Sequence, residues 1–199
     1  GFYYAMEYLA GCNLAELVER EGILPAERVI HLLKQACAAL EEAHGLGILH
    51  RDIKPQNLMV CTVAGQPDVL KVLDFGLVKQ VDGDDDSRDL TVGLRILGTP
   101  AYLAPERITD PGSTDPRADL YALGAVGFYL LTGRKPFESE SDLQLTHRIL
   151  HEVVPRASTF NPGVPPALDE LLARSMAKNP AERPASARAL HDQLSALAA

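Results

Sequence analysis

The sequence predicts an α+β domain, mainly helical, with a small β-rich patch in its first third. Three observations lead there. Apolar residues recur at helical spacing through several long segments. Between residues 48 and 79 the apolar runs shorten to strand length and alternate with polar loops. The residues able to do acid, base or metal chemistry collect in that same patch. With 199 residues, the chain is one domain or a large part of one. Its 46% hydrophobic and 23% charged content fits an ordinary packed core rather than disorder. A net charge of −8 argues against sequence-independent nucleic-acid binding, which needs a basic footprint. Nucleotides stay open, because a few local groups and a metal ion can neutralise their phosphates.

Taken in order, the run Phe2-Tyr3-Tyr4-Ala5-Met6-Glu7-Tyr8-Leu9 reads as a strand. A chain that opens inside a strand without an initiator Met is expected to be a fragment. Asn13 is placed to cap a short helix over Leu14–Glu21. Pro25 suits a first helical turn, and Val29, Leu32, Leu33, Ala36, Leu40 and Ala43 then share one helical face. Gly45 and Gly47 end that helix. Short strands are expected at Ile48-Leu49, Leu58-Met59-Val60 and Val69–Leu73. Residues 82–89 read as a solvated acidic loop; a calcium loop would need Gly and a terminal Glu where Ser87 and Gly93 stand. Further helices are expected at about 117–132, 140–152, 166–178 and 185–197, punctuated by Pro and Gly.

Cys12, Cys37 and Cys61 are sparse, odd in number and widely spaced, which fits small apolar residues in a reducing compartment. The longest apolar run, Leu120–Leu131, suits a buried helix and is too short for a bilayer. The segment is therefore expected in the cytoplasm, without membrane contact.

Three motifs stand in order: His50-Arg51-Asp52-Ile53-Lys54-Pro55-Gln56-Asn57, then Asp74-Phe75-Gly76, then Ala104-Pro105-Glu106. Taken singly, each Asp or Asn would be read as a cap or turn residue. Together, in these strand–loop contexts, they resemble the eukaryotic-like (Hanks-type) serine/threonine protein kinases of the bacterial type. The resemblance runs through nearly the whole chain. It implies a protein kinase-like α+β fold, of which this chain is the mainly helical large lobe with short strands around the catalytic loop. In that frame residues 1–9 are the hinge strand and 48–79 the catalytic and metal loops. Residues 74–106 are the activation segment and 107–199 the helical subdomain.

The resemblance also implies ATP and Mg²⁺ as cofactors, with Mn²⁺ an alternative. Phosphoryl transfer demands positioning and charge stabilisation rather than covalent chemistry. Asp52 would orient the acceptor hydroxyl, Lys54 would meet the transferring phosphate, and Asn57 and Asp74 would offer oxygens to the metal. Gly76 lets the chain turn after Asp74. Met6, Glu7, Leu9 and Met59 would form the adenine pocket. By the same resemblance His50 supports Phe75, and Arg51 receives an activation-segment phosphate. Thr91, with Ser87 second, is the expected phosphorylation site. Thr99 would contact Asp52 and Lys54 and, with Lys54, favours Ser/Thr acceptors over Tyr. Glu106 and Arg183 would form a buried ion pair, and Asp119 would fix the catalytic-loop backbone. The expected partners are ATP, protein substrates with Ser/Thr acceptors and, for autophosphorylation, a second copy of the kinase. No nucleic acid is expected.

The sequence departs from the pattern in one respect. No G-x-G-x-x-G phosphate loop occurs, and the strand lysine and helix glutamate of the small lobe have no counterpart. The chain alone is therefore expected to be weak or inactive, and its parent to be active. A parent anchored in a membrane with its kinase domain in the cytosol fits the same pattern. Two other readings remain: a non-catalytic kinase-like docking module, and a small-molecule phosphotransferase of the kinase-like fold.

Overall fold

The computed structural model describes residues 7, 9–75 and 100–197. Met6, Gly76, Ser87, Thr91, Thr99 and the acidic stretch 82–89 lie outside the described residues, as does most of the expected opening strand.

Strand β1 (Gly11–Asn13) leads directly into helix α1 (Leu14–Glu21). Asn13 closes a reciprocal cap: its Oδ1 accepts from Ala15 N and Glu16 N, and Glu16 Oε2 accepts from Asn13 N, each at 3.0 Å. Helix α2 (Ala26–Gly45) follows, with Pro25 just outside it as the cap. Strands β2 (Leu58–Val63) and β3 (Gln66–Val72) complete an antiparallel sheet of order β1-β2-β3. Its register pairs Cys12 with Val60 and Leu58 with Val72.

The β2–β3 hairpin turns through Ala64 and Gly65, both at positive φ (50° and 79°), as a two-residue primed turn requires. That turn is why the strands run longer than the expected 58–60 and start earlier than 69. The expected strand at Ile48-Leu49 is not formed. Ile48 N donates to Ala43 O at the end of α2, and among the described residues no neighbouring strand takes up the segment.

The outer edge of β3 is held by side chains of α2. Gln35 Nε2 donates to Asp68 O (2.8 Å) while Gln35 Oε1 accepts from Leu70 N (3.0 Å), so one amide substitutes for the next strand. Arg28 grips the Asp68 carboxylate with Nε and Nη2, both at 2.8 Å.

The remaining helices are α3 (Pro105–Thr109), α4 (Arg117–Thr132), α5 (Asp142–His151), α6 (Pro166–Ser175) and α7 (Ala187–Leu197). Helix α4 is the axis of the core. Twelve of its sixteen residues are buried, which explains the unbroken apolar run. It packs closely on α6: a Cβ added at Gly127 would lie 2.7 Å from Leu172 Cδ2, and one at Gly124 2.9 Å from Ser175 Cβ. Helix α3, which has no counterpart among the expected helices, is a single short turn opened by Pro105. Helix α6 stops at Ser175 rather than 178, because the chain must turn there to bring Arg183 inward. Phe137, Leu145 and Ile149 form a smaller satellite cluster under α5. Lys178 reaches across it, with Nζ 4.1 Å from the Phe137 ring centre and donating to Ile149 O at 2.5 Å. Cys37 and Cys61 are buried and all three thiols are free. Burial pushes the Cys37 thiol up to about 12.

Candidate active site

The loop between α2 and β2 carries most of the candidate chemistry, and its shape is imposed from beneath. Asp119, in the first turn of α4 and 3% exposed, accepts three hydrogen bonds. His50 N and Arg51 N donate to its two oxygens at 2.9 Å each, and His44 Nε2 donates at 2.9 Å from the end of α2. These bonds hold Arg51 at φ 67°, a left-handed conformation that is costly for a residue with a long side chain. The loop is thus braced by a buried carboxylate rather than by its own propensities.

His50 is 1% exposed and links the two motifs. Its Nε2 donates to Leu73 O (2.7 Å), because a carbonyl can only accept. Its Nδ1 is then the lone-pair nitrogen, and it accepts from Asp52 N at 3.2 Å. The ring also packs on Phe75, with centroids 4.8 Å apart.

Asp52, Lys54 and Asn57 converge. Lys54 Nζ donates to Asp52 Oδ2 at 2.6 Å, and Asn57 Nδ2 donates to the same oxygen at 2.9 Å and to Asp52 O at 2.8 Å. Both side-chain donors are spent on Oδ2, so Asp52 Oδ1 receives none from the described residues. The Asp52 side chain is 46% exposed and Lys54 only 20%. A turn over Pro55–Asn57 sets the spacing, closed by Asn57 N donating to Lys54 O at 3.0 Å. Leu73 N donates to Asn57 O (2.9 Å), which ties this turn to the end of β3 just before Asp74.

Asp74 itself is exposed and stands at φ 57°, a second left-handed residue beside the site. Because Asn57 Nδ2 is occupied by Asp52, its amide oxygen is the atom left to face outward. An amide oxygen and an exposed carboxylate are the hard donors that Mg²⁺ takes, so the residues present fit the implied ion.

The other expected residues are placed as follows. Glu7 is exposed, with Oε2 3.9 Å from Lys71 Nζ, and Leu9 is half-buried. Met59 is half-buried on β2, paired with Asn13 and Lys71. Arg51 is exposed. Arg183, its side chain fully buried, uses every N–H it has. Nη1 and Nη2 grip Glu106 at 2.6 and 2.7 Å, and the rest go to the carbonyls of Ala177, Arg117 and Lys178. Its guanidinium also lies over Tyr121, 5.0 Å from the ring centre.

Three contributors escape sequence reasoning. His44 and Gln35 act through partners far along the chain and carry no motif. Arg107 donates from Nη1 to Ser113 O at 2.6 Å, and burial, with the charge of Arg51 second, holds its guanidinium below the usual value. Two arginines thus stand close enough to repel beside the His50–Asn57 loop.

The fold and this loop define the class. Residues 1–195 match the protein kinase domain family, and the chain belongs to it. It is 42% identical to the serine/threonine-protein kinase pkn3 of Myxococcus xanthus, over 98% of this chain and 36% of that protein. To the serine/threonine-protein kinase PknL of Mycobacterium tuberculosis it is 41% identical, over 98% of this chain and 47% of that one. Among solved structures it is similar to the kinase domain of Mycobacterium tuberculosis PknI. That likeness has a TM-score of 0.70 and 28% identity, and covers 96% of this chain and 64% of that one. The likeness to bacterial Hanks-type kinases and the kinase-like α+β fold both hold. The chain spans less than half the length of these two curated relatives.

Proposed function

We propose that the protein containing this chain transfers the γ-phosphoryl group of Mg-ATP to serine and threonine hydroxyls of proteins. The observation that carries this reading is the division of labour on Asp52: one oxygen is engaged by Lys54 and Asn57, and the other receives no hydrogen bond from the described residues on a side chain that is 46% exposed. An acceptor hydroxyl donating to Oδ1 is oriented for attack, and its proton has a carboxylate to go to. Lys54, held over the same carboxylate, presents positive charge where the transferring phosphoryl group gains negative charge. Asn57 Oδ1 and the Asp74 carboxylate would hold Mg²⁺, which supplies charge neutralisation at the β- and γ-phosphates. His50 keeps the two halves in register, since it bonds both the Asp52 amide and the Leu73 carbonyl.

Several finer assignments rest on the same reading. The backbone of Glu7 and Leu9, with Met6 and Met59, binds adenine; the solved neighbour Rad53 1–466, 25% identical, is a complex with AMP-PNP. Exposed Arg51 takes a phosphate on the activation segment, with Thr91 its source. Thr99 contacts Asp52 and Lys54. The protein acts on protein substrates and on a second copy of itself. The segment works in the cytoplasm; among the described residues no helix is long and apolar enough to cross a membrane.

Labelling of protein acceptors by the full-length protein with γ-labelled ATP tests this. Phosphoserine and phosphothreonine are expected, and Asp52→Asn and Asp74→Ala should each abolish them while leaving the circular dichroism unchanged. Undiminished labelling by Asp52→Asn would sink the assignment. Transfer to an aminoglycoside or choline, with no labelled protein, would favour the small-molecule phosphotransferase instead.

A further inference from the structure

Six histidines occur in the chain, and four have hydrogen-bond partners. His31 is bonded by Gln35, His44 by Asp119, His50 by Leu73 O and Asp52 N, and His191 by Asp192. Among the described residues His147 and His151 have none. They are also the two that stand next to one another, four residues apart on α5, both exposed, with ring centroids 4.9 Å apart and planes tilted by 54°.

Residues at i and i+4 share a helix face, with side chains directed the same way along it. Two imidazoles so placed can turn one nitrogen each onto a common ion at about 2.0–2.1 Å, the distance at which borderline divalent metals bind histidine. The local charge does not oppose this. Arg148, on the neighbouring stripe, is offset by Glu152, 3.7 Å away. His151 is the last residue of α5, where the helix dipole favours a cation. Lys178 already exploits the same carbonyl end through Ile149 O.

We propose that His147 and His151 form a two-imidazole chelate for a divalent transition metal of the nickel, copper and zinc group. Water or a donor from another molecule completes the shell. Among the described residues no cluster of three or more His, Cys, Asp or Glu could hold a metal, so this site has open coordination positions. It is chemically separate from the oxygen donors Asn57 and Asp74, because imidazole nitrogens select against hard Mg²⁺. A bound ion would bridge successive turns of α5, the helix that packs against Pro100–Tyr102.

The test is a calorimetric titration of the full-length protein with Ni²⁺, in millimolar Mg²⁺ to occupy oxygen sites. Wild-type protein should take up a Ni²⁺ that His147→Ala and His151→Ala each bind at least about tenfold more weakly, because each loses the chelate. His191→Ala should titrate like wild type. Both positions are exposed, so the variants should fold normally. Identical titrations for wild type, His147→Ala and His151→Ala would overturn the proposal, as would loss of the bound ion on adding excess Mg²⁺.

Discussion

Asn57 bonds Asp52 twice, to the main-chain carbonyl and to Oδ2, and under the proposed function its amide oxygen is a metal donor. Replacing it with alanine removes loop bracing and a metal donor together. Under the proposed function, Asn57→Ala in the full-length protein should lower kcat by about 10²–10³-fold, the usual cost of losing one preorganised polar group. Steady-state kinetics at saturating ATP check this, and an unchanged kcat would contradict the role. Lys178 offers a different test. Burial pushes its ammonium down to about 8 from an ordinary 10.5. Between those values the unfolded chain holds more protons than the folded one, so this group makes stability rise as pH climbs through that window. The side chain is only partly buried, and solvent screening keeps the effect small. Urea midpoints should therefore show an upward contribution on going from about pH 7 to about pH 10 that Lys178→Met removes.

The β2–β3 hairpin carries a correctable local conflict. Ala64 sits at φ 50°, where an L-residue with a Cβ is strained and Asn or Gly is at ease. Ala64→Asn should stabilise the fold by about 1 kcal/mol, read as a higher denaturation midpoint with unchanged m-value. At the start of α1, Asn13→Ala should cost about 1 kcal/mol, because the Ala15 and Glu16 amides lose the side-chain oxygen that caps them. Helices α1, α2 and α4 were legible because their apolar spacing and caps are local properties of the chain. Strand β1 was not: its three residues become a strand only by pairing with Met59–Cys61, far along the sequence. Ile48-Leu49 fails for the converse reason, being apolar enough for a strand but with none beside it among the described residues. Helix α3 is too short for periodicity to register at all.

Among the described residues, an ion pair fastens the turn before α7 to helix α3. Glu106 is largely buried and Arg183 wholly so, and Arg183 has no spare donor. Glu106→Ala would leave a buried guanidinium without its counter-charge, and should destabilise the protein by about 3–5 kcal/mol in chemical denaturation. Replacing both partners with apolar residues should cost much less. That Asp52, Lys54 and Asn57 meet was legible in the sequence because they lie within a few positions of one another. Their support was not, because His44 and Asp119 lie on different helices and meet only after folding.

The brace on Asp119 also dictates a timescale. The amides of His50 and Arg51 belong to an irregular loop, and loop amides ordinarily exchange with solvent deuterium quickly. Both point instead at a carboxylate anchored in the most buried helix. They can be released only when α4 itself gives way. Their exchange should therefore be as slow as that of the α4 core amides, and Asp119→Ala should turn them fast while Leu123 and Val126 remain protected.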